Sequence, residues 1–279
     1  MIIVSLKCQM GNQLFQYAFG VANARRLHTL WLPYLNSPYY PFRLQWFVLD
    51  PVTHFLLDSE KISKLYTRIC RKWIKVVNPE TITDKEWELA GDAENNCYFD
   101  GFFQSDAYFN SHESIIKRRF RIKAQYRKSF TDKYGTLFAE KKVIVVHLRR
   151  TDYNEVGYDT IGGAGITLPL SYYQKAINTI PKSHNYKLLF IGDDMESIKK
   201  DFGHIEGASF ERNDAITDFQ LIQHADIAII ANSTFAWWAA YLTQKEGSRI
   251  IAPAFWWGFK VRKEFPAGIC TRKFAWIEF

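Results

Sequence analysis

Residues 143–148 read Val-Ile-Val-Val-His-Leu, a β-branched run in which nothing polar alternates with the apolar side chains until its end. A strand of this kind wants apolar surroundings on both faces, as inside a parallel sheet covered by helices. The residues beyond this run keep to that architecture. A loop rich in Gly and Asp spans residues 149–168, and Pro169 opens a helical pattern through Ile180, with proline in the first turn. Lys187–Ile191 predicts a second strand, and Met195–Phe202 a helix with an acidic start and Lys199–Lys200 near its end. Thr217–Ala225 predicts a helix, Ile227–Ala231 a strand, Phe235–Thr243 a helix and Arg249–Ala252 a strand. Strands interleaved with helices at this spacing argue for a parallel sheet with helices on both faces.

The first half is less regular. Ile2–Leu6 predicts a strand, and Leu14–Leu27 a helix with Leu14, Ala18, Val21 and Ala22 on one face. Helices are expected at Ser59–Lys72 and Lys128–Lys141, and a strand at Cys97–Phe103. A length of 279 residues suits two domains. The boundary is expected near Glu140–Lys142, giving domains 1–141 and 142–279.

Composition narrows the partners. The chain is 47% hydrophobic and 23% charged, which is globular rather than disordered. A net charge of +7 suits an anionic small substrate, an anionic membrane surface or nucleic acid. The basic residues are dispersed, with modest clusters at Arg68–Lys75 and Lys117–Lys123 and no zinc-finger spacing, so nucleic acid is not expected as a partner. Cysteines 8, 70, 97 and 270 form no CxxC pair and read as free thiols of a reducing compartment. Met-Ile-Ile-Val-Ser-Leu-Lys at the start reads as a first strand and not a signal peptide. The apolar run Ala225–Leu242 carries Asp226, Asn232, Ser233 and Thr234, and reads as strand, loop and helix rather than a membrane span. The expectation is a cytoplasmic protein, held to the inner membrane face, if at all, by charge.

In open α/β sheets, ligands bind beyond the carboxyl ends of the strands. After the first strand, Gly11 permits a tight turn and Asn12 is placed to cap a helix, which makes either an ordinary turn or an anion site. After the Val143 strand come His147, Arg149, Arg150 and Asp152. Arginine pairs at a strand end imply a bound anion such as a phosphate, or else an internal Arg–Asp network. After the Lys187 strand, Asp193 and Asp194 fit a helix cap, a metal or a ribose hydroxyl. After the Ile227 strand, Asn232-Ser233-Thr234 fits phosphate donation or helix capping, with Trp237 and Trp238 in the core. Together these ends describe a nucleotide diphosphate site, and the missing Walker motif argues against ATPase chemistry.

The combination GNQLFQYAFG (11–20), GFFQSDAYF (101–109), VVHLRRTDY (145–153), LPLSYYQKAI (168–177), IGDD (191–194) and ANSTFAWWAAYL (231–242) resembles the α-1,2-fucosyltransferase family, glycosyltransferase family 11-like. The resemblance implies a GT-B-type α/β fold, two Rossmann-like domains facing each other across a cleft. The first would lie on the acceptor side and the second would bind the donor, GDP-β-L-fucose. It implies an inverting, metal-independent transfer, with no cofactor, to the 2-hydroxyl of a terminal galactose in an oligosaccharide. Carried onto this chain, Arg149 would bind the GDP phosphates and His147 would lie near the nucleotide. Ser233 and Thr234 would hydrogen-bond the diphosphate, Asp194 and Asp218 would serve ribose or guanine, and Asn12 would face the cleft. For a base near the acceptor hydroxyl, Asp152, Glu155 and Asp159 are the loop carboxylates available, beside Arg149 as the catalytic cation. Two departures stand out. Thr151 replaces a common Gly, and Cys8-Gln9-Met10 replaces a Gly-rich turn that helps shape the acceptor side. A transferase using another nucleotide sugar, or a nucleotide- or glycan-binding module without turnover, is the competing reading.

Overall fold

The computed structural model describes residues 1–35, 41–77, 81–82, 98–181 and 186–279. It divides into two compact units, Met1–Lys123 and Ala124–Phe279. In the first unit, β1 (Ile2–Leu6) is buried along its whole length. It is followed by α1 (Met10–Arg26), β2 (Trp31–Leu35), α2 (Pro51–Leu57), α3 (Glu60–Val77), β3 (Thr81–Ile82), β4 (Tyr98–Phe99) and α4 (Glu113–Arg119). The strands form a parallel sheet in the order β2-β1-β4-β3. Helix α1 is buried from Met10 almost continuously to Ala24, and Phe19 stacks on Phe103 at 3.8 Å.

The second unit opens with α5 (Ala124–Glu140) and β5 (Lys142–Leu148), then a small antiparallel pair, β6 (Gly157–Tyr158) and β7 (Gly163–Ala164). After these come α6 (Leu170–Asn178), β8 (Tyr186–Gly192), α7 (Met195–Phe202), β9 (Ser209–Glu211), α8 (Ala215–His224), β10 (Ile227–Ile229), α9 (Thr234–Tyr241), β11 (Arg249–Pro253) and β12 (Ala275–Ile277). The main sheet has the order β12-β11-β10-β5-β8-β9, parallel throughout. The chain starts at β5, builds outward through β8 and β9, then returns to β10 on the other side. The strand order therefore reverses between β5 and β10, where an open α/β sheet leaves a crevice at its carboxyl end. Fully buried Tyr172 of α6 donates to the carbonyls of Ile230 (2.7 Å) and Ile251 (3.2 Å), fixing the ends of β10 and β11 beside it.

The second-half elements fall where the sequence places them, and Met195–Phe202 agrees at both ends. The run Ala225–Leu242 is indeed strand, loop and helix, and among the described residues no helix is long and apolar enough to cross a membrane. Other expectations need correction. Helix α1 begins at Met10, before the predicted Leu14, because Cys8 takes a left-handed conformation (φ 64°) and turns the chain early. Gln9 is then the N-cap, without a side-chain bond, and Gly11 and Asn12 lie inside the helix, so Asn12 is not a cap. The strand expected at Cys97–Phe103 is only Tyr98–Phe99, and Phe103 has positive φ (50°), which ends extended pairing; Cys97 lies outside the described residues. Strand β2 was hidden by Pro33, which this sheet tolerates because β2 is an edge. Strands β9 and β12, three residues each, are too short to show periodicity. The compact units divide at Lys123/Ala124 rather than at 141/142. Helix α5 belongs with the second unit, where Tyr134 bonds Glu211 and Asn213, and Tyr126 accepts from Gln220 of α8.

One glycine fixes the spacing of β5 and β8 at their carboxyl ends. A Cβ on Gly192, at the end of β8, would sit 2.7 Å from the Leu148 carbonyl oxygen and 2.7 Å from Ile198. Gly192→Ala is therefore expected to destabilise the protein by about 1–3 kcal/mol, read as a lowered denaturation midpoint in urea. An unchanged midpoint would show that the strand ends separate freely.

Candidate nucleotide-binding site at the strand-order reversal

The residues that follow β5 are held by a carboxylate from the neighbouring strand. Asp193, just past β8, accepts from the backbone N–H of Arg150 (2.9 Å), the N–H of Thr151 (3.1 Å) and the Thr151 hydroxyl (2.6 Å). Burial works against its charge, but these donors and the nearby Arg149 outweigh it and hold the carboxyl below its usual range. The rest of the loop carries a small core of its own. Tyr153, Ile161 and Ile166 pack with Val156, Trp257 and Phe265.

The two arginines have separate duties. Arg150 is nearly buried and turned inward, paired with Asp201 at 2.7 Å and bonded to the Ser197 hydroxyl. It anchors α7 to the sheet. Arg149 lies over the Tyr153 ring at 5.6 Å, about a third exposed. Its Nε and Nη2 meet the two oxygens of Asp152 at 2.8 Å each, and Nε lies 3.4 Å from Asp193. The internal Arg–Asp network considered from the sequence is thus present, and of the two only Arg149 stands where an external anion can replace a carboxylate. Asp152 is half-exposed on its loop, which makes it the replaceable partner.

Across the crevice, Asn232 is fully buried and ties the two loops together. Its Nδ2 donates to the Ile166 carbonyl (2.8 Å), and its own carbonyl accepts from Trp257 Nε1 (2.8 Å) and the Tyr153 hydroxyl (3.3 Å). Helix α9 starts immediately after. Ser233 is its N-cap but makes no capping bond to the helix, its hydroxyl meeting Tyr153 instead, and Thr234 is the first helical residue. The first-turn N–H groups of α9 are therefore left uncapped beside the crevice, where a helix end favours an anion. Two buried polar atoms nearby have no hydrogen-bond partner, Nδ1 of His147 and Oδ1 of Asn232. Such atoms mark a place where a ligand or water completes the network.

His147, at the end of β5, lies 5.8 Å from the Phe235 ring of α9. Burial, with help from Arg149 and against Asp193, lowers its pKa to about 4, so it is neutral near pH 7. Asp194 caps α7 by accepting from Ser197 N–H at 3.1 Å, the cap among its three sequence readings. Asp218, in the first turn of α8, accepts from Asn213 at 3.0 Å. Burial pushes its pKa up to about 6, with Asp214 and Glu211 adding to the rise and Asn213 and Lys133 opposing it. Glu155 and Asp159 lie exposed on the loop. Asn12 is in the first unit, accepting from Gln104 at 2.7 Å between the ends of β1 and β4. His147, Arg149, Asp152, Ser233 and Thr234 thus gather at one crevice, while Asp194 does structural work and Asp218 stands on α8. Among the described residues no three His, Cys, Asp or Glu side chains come together as a metal-holding group. Sequence reasoning gave no role to Tyr153 or Trp257, and read Asn232 as a phosphate donor or helix cap where the structure makes it a buried tie between loops. Tyr153 carried a signal, as the last residue of the arginine motif; Trp257 carried none.

This geometry can be set beside known proteins. Glycosyl transferase family 11 matches residues 1–263. The chain belongs to glycosyl transferase family 11. It is 26% identical to an α-1,2-colitosyltransferase of Escherichia coli, with 99% of each chain aligned. It is 28% identical to the O-antigen biosynthesis glycosyltransferase WbnK of Escherichia coli, over 57% of this chain and 55% of the relative. Among solved structures, the fucosyltransferase NodZ from Bradyrhizobium superposes with a TM-score of 0.55 at 15% identity, covering 87% of this chain and 92% of that one. POFUT1 in complex with GDP gives 0.52 at 13% identity, covering 90% and 96%. These likenesses bear out the expected GT-B-type α/β fold, and the family makes the chain a glycosyltransferase.

The buried His147 has a measurable consequence. Between pH 6.5 and about 4, the unfolded chain binds a proton at His147 that the folded chain does not. Stability from this group is present above 6.5 and falls as pH drops through that window. Urea titrations of wild type and His147→Gln are expected to differ in slope by about one proton across that window. Parallel stability–pH curves would show that His147 is protonated in the folded protein.

Proposed function

We propose that this family 11 glycosyltransferase moves L-fucose from GDP-β-L-fucose to the 2-hydroxyl of a terminal galactose, with inversion and without a metal or cofactor. The observation that carries the reading is the Arg149 fork beside the uncapped start of α9 where the strand order reverses. As the glycosidic bond breaks, charge gathers on the β-phosphate. A guanidinium, the Ser233 and Thr234 hydroxyls and a helix N-terminus are fixed donors for that charge and need no reorganisation during reaction. Neutral His147 contributes a hydrogen bond without adding charge. The raised Asp218 carboxyl is an acceptor suited to the N–H edge of guanine, and a group held this far from its ordinary pKa is a mark of a working site.

The α-1,2 linkage takes support from the name of the colitosyltransferase relative, aligned over 99% of both chains, which also supports a second donor. Colitose is L-fucose without its 3-hydroxyl. A pocket that hydrogen-bonds that hydroxyl would reject the deoxy sugar by about 10⁴-fold or more, and one that does not would take both. The acceptor in this reading is a galactose-terminated chain of the O-antigen kind, and the enzyme works on the cytoplasmic side, where it meets the donor.

The carboxylates divide between two tasks. Asp152 is held by both oxygens on Arg149, which makes it a poor base and a counter-ion to be displaced. Glu155 and Asp159, exposed on the same loop, are the carboxylates left to take the acceptor proton, and Glu155, nearer in sequence to Arg149, is the one assigned that role.

A donor panel of GDP-fucose, GDP-colitose and UDP-galactose, run in EDTA with lactose or N-acetyllactosamine, is expected to show acceptor-dependent release of GDP from GDP-fucose. Release from GDP-colitose alone would replace the donor, and tight GDP binding with no transfer would make the protein a binding module. Arg149→Ala is expected to lower kcat by about 10²–10³-fold, and near-normal turnover would remove it from the mechanism. In the same assays, Asp152→Asn should tighten GDP binding, while Glu155→Gln should lower kcat at unchanged GDP affinity. Weaker GDP binding by Asp152→Asn would instead make that carboxylate an organiser of the arginine.

A further inference from the structure

The second helix pair of the first unit presents apolar side chains to solvent at helical spacing. Leu65 and Ile69 of α3 are 61% and 58% exposed, and Val52 and Phe55 of α2 are 58% and 67% exposed. Single exposed apolar residues need no explanation. Here, however, they recur at i,i+4 and i,i+3, and cations are set among them. At 3.6 residues per turn, Lys61, Leu65, Arg68, Ile69 and Lys72 share one outward stripe, all exposed. The opposite side of α3 is committed to the core, with Ser63 and Cys70 buried and Tyr66 packed against the apolar clusters around Tyr34 and Leu35. The helix therefore cannot roll its apolar stripe inward without unseating that side. The acids nearby are already met, Glu60 by Lys64 at 2.5 Å and Asp58 by His54 at 2.8 Å.

We propose that the outward face of α3, joined by Val52 and Phe55 of α2, is a docking surface for an anionic lipid bilayer. The charge pattern selects this occupant. Leucine and isoleucine flanked by lysine and arginine suit the boundary between acyl chains and headgroups, where long basic side chains reach back to the phosphates. A protein partner of matching chemistry would need an acidic rim around an apolar groove. A lipid surface offers both features continuously, and the net charge of +7 draws the whole chain towards it. The proposal is independent of which sugar is transferred.

Co-sedimentation with vesicles tests it directly. The full chain is expected to pellet with equimolar phosphatidylcholine and phosphatidylglycerol, to stay in solution with phosphatidylcholine alone, and to be released by high salt. Leu65→Asp/Ile69→Asp is expected to lower the bound fraction about tenfold or more, and Lys61→Ala/Arg68→Ala about tenfold. Both variants should keep the wild-type circular dichroism spectrum and melting temperature, since every altered side chain is exposed. No binding of wild type to the anionic vesicles would overturn the proposal, as would undiminished binding by Leu65→Asp/Ile69→Asp. A concentration-dependent dimer dispersed by that variant would assign the face to a second copy of the chain instead.

Discussion

Asp193 is the group on which the candidate site depends. Its carboxylate collects two backbone N–H groups and one hydroxyl from the loop after β5, while lying 3.4 Å from Arg149. It thereby ties the carboxyl end of β5 to that of β8, and Gly192 before it permits the two strand ends to approach so closely. With the loop fixed in this way, Arg150 is turned inward to Asp201, and Arg149 is left at the crevice as a half-screened charge. One partly buried carboxylate thus sorts two adjacent arginines into a structural residue and a binding residue. Its charge is kept by those donors despite burial, which is the condition for the arrangement to persist near neutral pH.

The first unit uses neutral side chains for a similar purpose. Gln13 and Gln16 are fully buried on α1. Gln13 donates to the carbonyls of Cys8 and Pro41 and accepts from Arg43 N–H, while Gln16 accepts from Lys7 N–H and donates to the Gly101 carbonyl. The motif around Asn12 is therefore chiefly a device for holding irregular backbone at the ends of β1 and β4. The left-handed Cys8 makes this turn at the cost of some backbone strain.

How far the sequence foretold all this depends on the range of the interactions. The strands β5, β8, β10 and β11 were readable because each is a short apolar run with turn residues after it, a local signal. The grouping of His147, Arg149, Ser233 and Thr234 was readable because parallel strands bring their carboxyl ends to one edge. The pairing of Arg149 with Asp152 was readable as a local Arg–Asp network, but the partners Asp193 and Asp201 were not, since they come from a different strand and helix and only the fold brings them near. The same is true of Trp257, which reaches Asn232 from a late aromatic run with no distinguishing pattern. Asn12 was misplaced as a cap because the turn is made two residues before the helix by a cysteine, a residue without preference for that conformation. Asp218 was named on its resemblance alone, and no local signal in the sequence foretold the burial that raises its carboxyl pKa to about 6.

Hydrogen–deuterium exchange with and without GDP measures the central claim most directly. If the nucleotide diphosphate binds where β5 and β10 part, the uncapped amides at residues 234–236 and the loop amides at 149–153 will slow when GDP is added. GDP binding that leaves both segments unchanged and protects amides elsewhere would contradict the account.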